Sequence, residues 1–207
     1  MVAANISVTA GSGTRLATSS YTEGGVTVHD EKVIVGEPYL AEYRAHTGNT
    51  GVSTATVDAH LMQLMAGASL HVYVRRIRVY QRAVATTASI VAVGLFRLTS
   101  AGTGGTAFTP SPLDAADGAS GATSMSLPTA KGTEGTQIEA ITAYFTQTIS
   151  ATQTPRDVLL YDFDFRGLRQ KGLRIPAGTA NGIALRIRDA TAAATVFWVV
   201  EFTEASW

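Results

Sequence analysis

The stretch LHVYVRRIRVYQR, residues 70–82, carries the clearest strand pattern in the chain. Its first half places apolar residues at even positions as far as Val74, and its second half places them at odd positions from Ile77 onward. Side chains alternate between the two faces of a strand, so an alternation that changes phase predicts one extra residue in the ladder. We therefore expect a long strand with a β-bulge near Arg75 and Arg76.

The remaining strand patterns lie on both sides of this one. Within 158–166, Leu159, Tyr161 and Phe163 are expected on one face, with Asp162 and Asp164 on the other. Residues 57–66 fit a helix or a strand, and we assign a strand because all that follows is β. About seven or eight strands and no long helix predict an all-β, two-sheet antiparallel sandwich resembling a jelly roll. The other strand patterns are ASIVAVGLFRL (88–98), TQIEAITAYFTQ (136–147), and those within 172–189 and 194–202.

The chain divides into an N-terminal arm with short β elements, residues 1–58, and a sandwich domain, residues 59–207. Between two long strands lies a segment without strand pattern, 99–135, rich in Gly, Thr and Pro. Connections longer than about 12–15 residues are uncommon and usually functional, disordered or linker-like. Its apolar residues, among them Phe108 and Leu113, predict an ordered loop that packs on the domain or on a neighbour. We expect arm and loop to be fixed only where a neighbour offsets an ordering cost of about 1–2 kcal/mol per residue.

Composition argues against several classes of function. Sixteen basic and sixteen acidic residues give a formal net charge of zero, whereas nucleic-acid binding usually needs a basic excess. The chain has no cysteine, which excludes disulfides and thiolate chemistry. Its apolar runs are too short to cross a bilayer, and its N-terminus lacks the pattern of a secretion signal. We expect a soluble protein made in the cytosol, with no nucleic-acid or membrane partner.

No pattern of catalytic residues emerges. The four histidines lack the spacing of metal ligands, and GTGG at 102–105 lacks the Lys-Ser/Thr ending of a phosphate-binding loop. Asp162 and Asp164 share a strand face, and cross-strand pairing with Arg186 or Arg188 explains them better than a metal does. We predict that the chain is not an enzyme and holds no cofactor or metal.

Two basic clusters are candidates for partner binding. They fit contact with an acidic protein surface, because arginine is favoured at interfaces, or a solvated strand face balanced by Asp and Glu. Nucleic acid is a weaker candidate, because the clusters lack interleaved exposed aromatic residues. The predicted partner-binding residues are Arg75, Arg76, Arg78 and Arg82 in the first cluster, Arg166, Arg169, Lys171 and Arg174 in the second, and Phe108 and Leu113 in the loop.

Four stretches carry a family resemblance: HLMQLMAGASLHVYVRRIRVYQR (60–82), VAVGLFRLTSAGTGGTAFTPSPLDAADGAS (91–120), KGTEG (131–135) and KGLRIPAGTANGIALRIR (171–188). Together, over about residues 59–203, they resemble β-rich, head-associated structural proteins of tailed bacteriophages. The resemblance implies a virion component with a jelly-roll-like fold that forms oligomers. It does not separate a decoration protein from a tail or fibre component.

We therefore expect a structural virion protein, assembled in the host cytoplasm, that serves as a capsid decoration protein. It would bind the major capsid protein or other virion proteins through its arm and through one sheet edge or basic face. It would also self-associate, with a trimer favoured. The alternative is a carbohydrate- or receptor-binding jelly-roll module of a tail or head fibre, which would present exposed aromatic rings to sugars.

Overall fold

The computed structural model describes residues 18–23, 26–31, 40–48, 50–81, 89–145, 158–165, 172–190 and 193–206. The chain forms two compact units, residues 1–38 and residues 39–207. In the first unit, strands β1 (Thr18–Glu23) and β2 (Val26–Glu31) pair antiparallel as a hairpin. The division falls earlier in the chain than residue 58, because the strands between 42 and 53 belong to the second unit.

The second unit consists of two antiparallel sheets. The described residues contain no helix, and so none that could cross a bilayer. The six-stranded sheet has β5 (His60–Met65), β7 (Ser89–Leu98), β8 (Thr106–Phe108), β10 (Thr123–Ser126), β11 (Glu134–Phe145) and β14 (Gly182–Ala190). The seven-stranded sheet has β3 (Glu42–His46), β4 (Val52–Ser53), β6 (His71–Gln81), β9 (Ser111–Pro112), β12 (Val158–Asp164), β13 (Leu173–Ile175) and β15 (Thr195–Ala205).

The strand order confirms the predicted jelly-roll-like sandwich. One sheet contains the run β12-β6-β15-β3, and the other contains β11-β7-β14-β5. Chain neighbours such as β5 and β6 therefore lie in opposite sheets, which is the Greek-key arrangement of a jelly roll. This topology places the chain's last strand, β15, in the middle of its sheet, between β6 and β3.

A large apolar core fills the space between the sheets. In the seven-stranded sheet it takes alternate residues of β6 and β15, and from the other sheet it takes alternate residues of β7 and β14. At its centre lies Trp198, whose side chain is fully buried. The main core residues are Val72, Val74, Ile77, Val79, Val91, Val93, Leu95, Ile183, Leu185, Ile187, Val196, Trp198, Val200 and Phe202.

The bulge predicted in β6 is confirmed. Arg76 pairs with Glu201, and Val74 pairs with the next residue, Phe202, which leaves Arg75 as the extra residue. The predicted alternation in β12 is wrong at its start. A register shift between Leu159 and Tyr161 leaves Leu159 exposed, while Leu160 packs against the core.

The 99–135 segment packs on its own domain, which is one of the two alternatives predicted for it, and it contains strands that were not predicted. It contains three short strands: β10 pairs with β5, β8 pairs with β10, and β9 pairs with β3. The segment therefore extends both sheets on one side of the sandwich through strand pairing within its own chain. Because these strands are only two to four residues long, the sequence gives no alternation to detect.

Two buried side chains of β15, Trp198 and Glu204, bind the 99–135 segment. The indole nitrogen of Trp198 donates to Ser126 Oγ at 2.7 Å, and Phe108 meets the Trp198 ring edge-on at 5.4 Å. The carboxylate of Glu204 accepts hydrogen bonds from Ser120 Oγ at 2.9 Å and from the Ala122 amide at 2.8 Å.

The Glu204 carboxylate also accepts a bond from the Gly121 amide at 3.1 Å. Here the backbones approach closely, since a Cβ at Gly67 would lie 2.8 Å from the Gly121 carbonyl oxygen. A polar carboxylate in a buried place is thus satisfied by three donors of the 99–135 segment, which is what a buried polar group requires.

We predict that Glu204→Ala destabilises the chain by about 1–3 kcal/mol, because it removes the carboxylate that accepts three hydrogen bonds from the 99–135 segment. Urea denaturation measures the change, and proteolysis between residues 113 and 122 should become faster. Glu139→Ala is the matched control, since Glu139 lies on the solvent-exposed part of β11. Equal stability of the two variants would show that Glu204 does not hold the segment.

Candidate interaction surface

The face of the seven-stranded sheet that points away from the core carries four charged residues discussed in the sequence analysis: Arg76, Arg78, Asp162 and Asp164. We call it the outer face. Strand register arranges its side chains in rows that run across β12, β6, β15 and β3. The rows are Leu159–Tyr80–Phe197, then Asp162–Arg78–Val199–His46, and then Asp164–Arg76–Glu201–Arg44. The bulge at Arg75 is what places Arg76, Arg78 and Tyr80 together on this face.

The arginines of the outer face are paired with carboxylates of neighbouring strands. Arg76 Nε donates to Asp162 Oδ1 at 2.7 Å, and its second nitrogen donates to the other carboxylate oxygen. Glu201 Oε1 accepts from Arg78 at 2.6 Å and from Arg44 at 2.8 Å. Arg76 and Arg78 of the first basic cluster therefore belong to a ladder of ion pairs, as expected of a strand face balanced by Asp and Glu.

The partner of Asp162 differs from the expectation. We predicted Arg186 or Arg188, but β12 lies beside β6, so the arginine within reach is Arg76. The hydrogen bonds from Arg76 lower the pKa of Asp162, and the same pairing raises the pKa of the Arg76 guanidinium. Both groups stay charged throughout the neutral range.

An apolar row lies beside this ladder. The rings of Tyr80 and Phe197 stack at 4.7 Å with an interplanar angle of 10°. The Arg78 guanidinium lies 6.0 Å from the centre of the Tyr80 ring, and Leu159 continues the row with 45% of its surface exposed. Tyr80 is half-buried and lies on the same face as Arg76 and Arg78, because residues two apart in a strand share a face.

The other predicted partner-binding residues are dispersed. Phe108 packs inward on Trp198, whereas Leu113 is 50% exposed in the 99–135 segment. Arg174, on β13, is exposed and binds the His71 ring at 2.9 Å. Four predicted residues lie outside the described part of the chain: Arg82, Arg166, Arg169 and Lys171.

Sequence reasoning missed a polar cluster centred on His60, on the six-stranded sheet. The His60 side chain is fully buried, and its Nε2 lies 2.8 Å from Glu134 Oε1. Arg186 donates to the other oxygen of Glu134 at 2.7 Å and lies 4.3 Å from the Phe96 ring centre. His60 and Gln63 in the otherwise apolar strand HLMQLM indicate a buried polar site. Their partner Glu134 is too distant in sequence to be predicted from this pattern.

The hydrogen bonds of this cluster fix the histidine tautomer. Gln63 Oε1 accepts from the Gly102 amide at 2.9 Å, so the Gln63 amide nitrogen faces His60 Nδ1 and donates to it. His60 is therefore protonated at Nε2 and donates to Glu134. Desolvation lowers the pKa of His60 and outweighs the opposing effect of Glu134, so the ring is neutral. The cluster holds together β5, the start of β11 and the loop at Gly102.

Among the described residues, no three histidine, aspartate or glutamate side chains come close enough to hold a metal ion. Comparison with protein families, with curated proteins and with solved structures finds no match to this chain.

The buried neutral His60 predicts a loss of stability in acid. Its folded pKa lies below the unfolded value, so the unfolded chain takes up the proton first, and stability falls as the pH drops below about 6.5. His60→Gln should make this pH dependence shallower, because glutamine donates without titrating. The measurement is the urea midpoint between about pH 7.5 and pH 5.5.

His46→Gln serves as the control, because His46 is exposed on the outer face. It should keep the pH dependence of the wild type. If His60→Gln and the wild type lose stability in parallel, His60 is not the group responsible.

Proposed function

We propose that this chain is a structural protein of a tailed-bacteriophage virion, and specifically a capsid decoration protein. It binds the major capsid protein or another virion protein and associates with copies of itself. The proposal combines the resemblance over residues 59–203 with the chemistry of the outer face.

The observation that carries the proposal is the composition of the outer face. Protein interfaces are enriched in aromatic residues and arginine and depleted in lysine. The outer face offers Tyr80, Phe197 and the exposed Leu159 in one row, beside arginines whose charges are already neutralised by Asp162 and Glu201. Such a surface is suited to a flat protein partner better than to a strongly acidic one, since its ion pairs leave little charge to attract the latter.

The same geometry gives less support to the alternative of glycan binding. Sugars stack on the open face of an aromatic ring. One face of the Tyr80 ring is stacked on Phe197, and the Arg78 guanidinium lies 6.0 Å from the ring centre, so less of the ring is open to a sugar.

We predict that Leu159→Ser weakens binding to the capsid about tenfold or more, because truncation of a central apolar contact costs about 2 kcal/mol. Val57→Ser is the matched control, because Val57 is also 45% exposed but lies in a turn away from the outer face. The assay is co-sedimentation with capsids assembled from the major capsid protein of the same virus. Equal binding by both variants would contradict the assignment of this face.

The arm is tested separately. Deleting residues 1–25 should abolish capsid binding and leave the thermal transition of the second unit in place, because residues 1–38 form a compact unit of their own. Circular dichroism follows the fold, and co-sedimentation follows the binding. Full binding by the truncated chain would show that the arm takes no part.

A further inference from the structure

The two sides of the sandwich differ in how their sheet edges are protected. On one side the last strands are β8, three residues long, and β9, two residues long and ending in Pro112. Very short strands and proline are the devices by which proteins keep an edge from pairing with another chain. This side, built by the 99–135 segment, is closed.

The opposite side has no such protection. The edge of the six-stranded sheet there is β11, which is twelve residues long and, among the described strands, pairs with β7 alone. It contains neither lysine nor proline, and most of its residues from Gly135 to Thr142 are exposed. In the described residues no hydrogen-bonded ladder joins β11 to β12, the edge of the other sheet. Among the described strands, none pairs with the outer edge of β11, so that edge offers one row of backbone donors and acceptors for a ladder.

We propose that β11 pairs antiparallel with β11 of a second copy across a two-fold axis, so that two six-stranded sheets become one continuous sheet. The inference deepens the self-association in the proposed function and rests on it. A second copy is the fitting occupant, because a two-fold contact satisfies both free edges with one interface. The result is a dimer, in place of the trimer favoured from the sequence.

The register of β11 suits this pairing. Its ladder with β7 is irregular as far as Glu139 and regular from there to Phe145. A two-fold axis at Thr142, the middle of the regular part, sets residue 139 against residue 145. Glu139 is the only charged residue in that part, so this register places no like charges opposite each other.

The experiment is to measure the solution mass of the full chain by light scattering and sedimentation. The wild type should have twice the mass of one chain, and Thr142→Lys, which sets two lysines face to face at the axis, should have the mass of one. Thr106→Lys is the matched control, since Thr106 is an exposed threonine on β8, at the protected edge of the same sheet. It should remain a dimer.

A second pair of variants tests charge complementation at the axis. Thr142→Glu alone should also be monomeric, and an equal mixture of Thr142→Lys and Thr142→Glu should form a heterodimer. A monomeric or trimeric wild type, or a dimer that survives Thr142→Lys, would overturn the proposal. Capsid co-sedimentation reports on the proposed function independently. If the wild type is a monomer that binds capsids, the β11 pairing is wrong and the decoration role stands. If it is a β11 dimer that does not bind capsids, the decoration role is wrong and the pairing stands.

Discussion

The constraint on which the rest of this structure depends is the hold of β15 on the 99–135 segment. Trp198 and Glu204 reach inward from the same strand, and between them they bind Ser126, Ser120 and the backbone at residues 121–122. The Trp198–Ser126 bond and the bond from the Ala122 amide to Glu204 are buried, so water does not compete for these partners. A long polar connection is thereby made part of both sheets, at the cost of ordering some three dozen residues within the same chain.

This arrangement gives the sandwich one closed side and one open side. The segment covers the β5 and β3 edges, and on the far side β11 is a long strand whose outer edge pairs with none of the described strands. The outer face of the seven-stranded sheet adds an apolar row beside paired charges. We propose two contacts with separate chemistry, namely backbone pairing between copies through β11 and side-chain contact with the capsid through the outer face.

Sequence patterns predicted what depends on local alternation, including the sandwich and the bulge at Arg75. They failed where the partner of a side chain depends on which distant strands lie side by side. Asp162 binds Arg76 because β12 lies beside β6, and His60 binds Glu134 across the sheet. The 99–135 segment looked like a loop because strands of two to four residues carry no period. The aromatic row could have been found, since Tyr80 follows Arg76 and Arg78 at two-residue spacing and therefore shares their face.

Hydrogen exchange of the full chain, measured by mass spectrometry at low and at high protein concentration, tests the central claim most directly. If the segment is fixed by its own chain and β11 by a second copy, amides of β8 and β10 are protected at both concentrations. Amides of β11 then gain protection as the concentration rises. The account would be contradicted if, in the dilute sample, residues 106–126 exchanged at the rate of an unfolded chain. It would also be contradicted if the protection of β11 amides did not change with protein concentration.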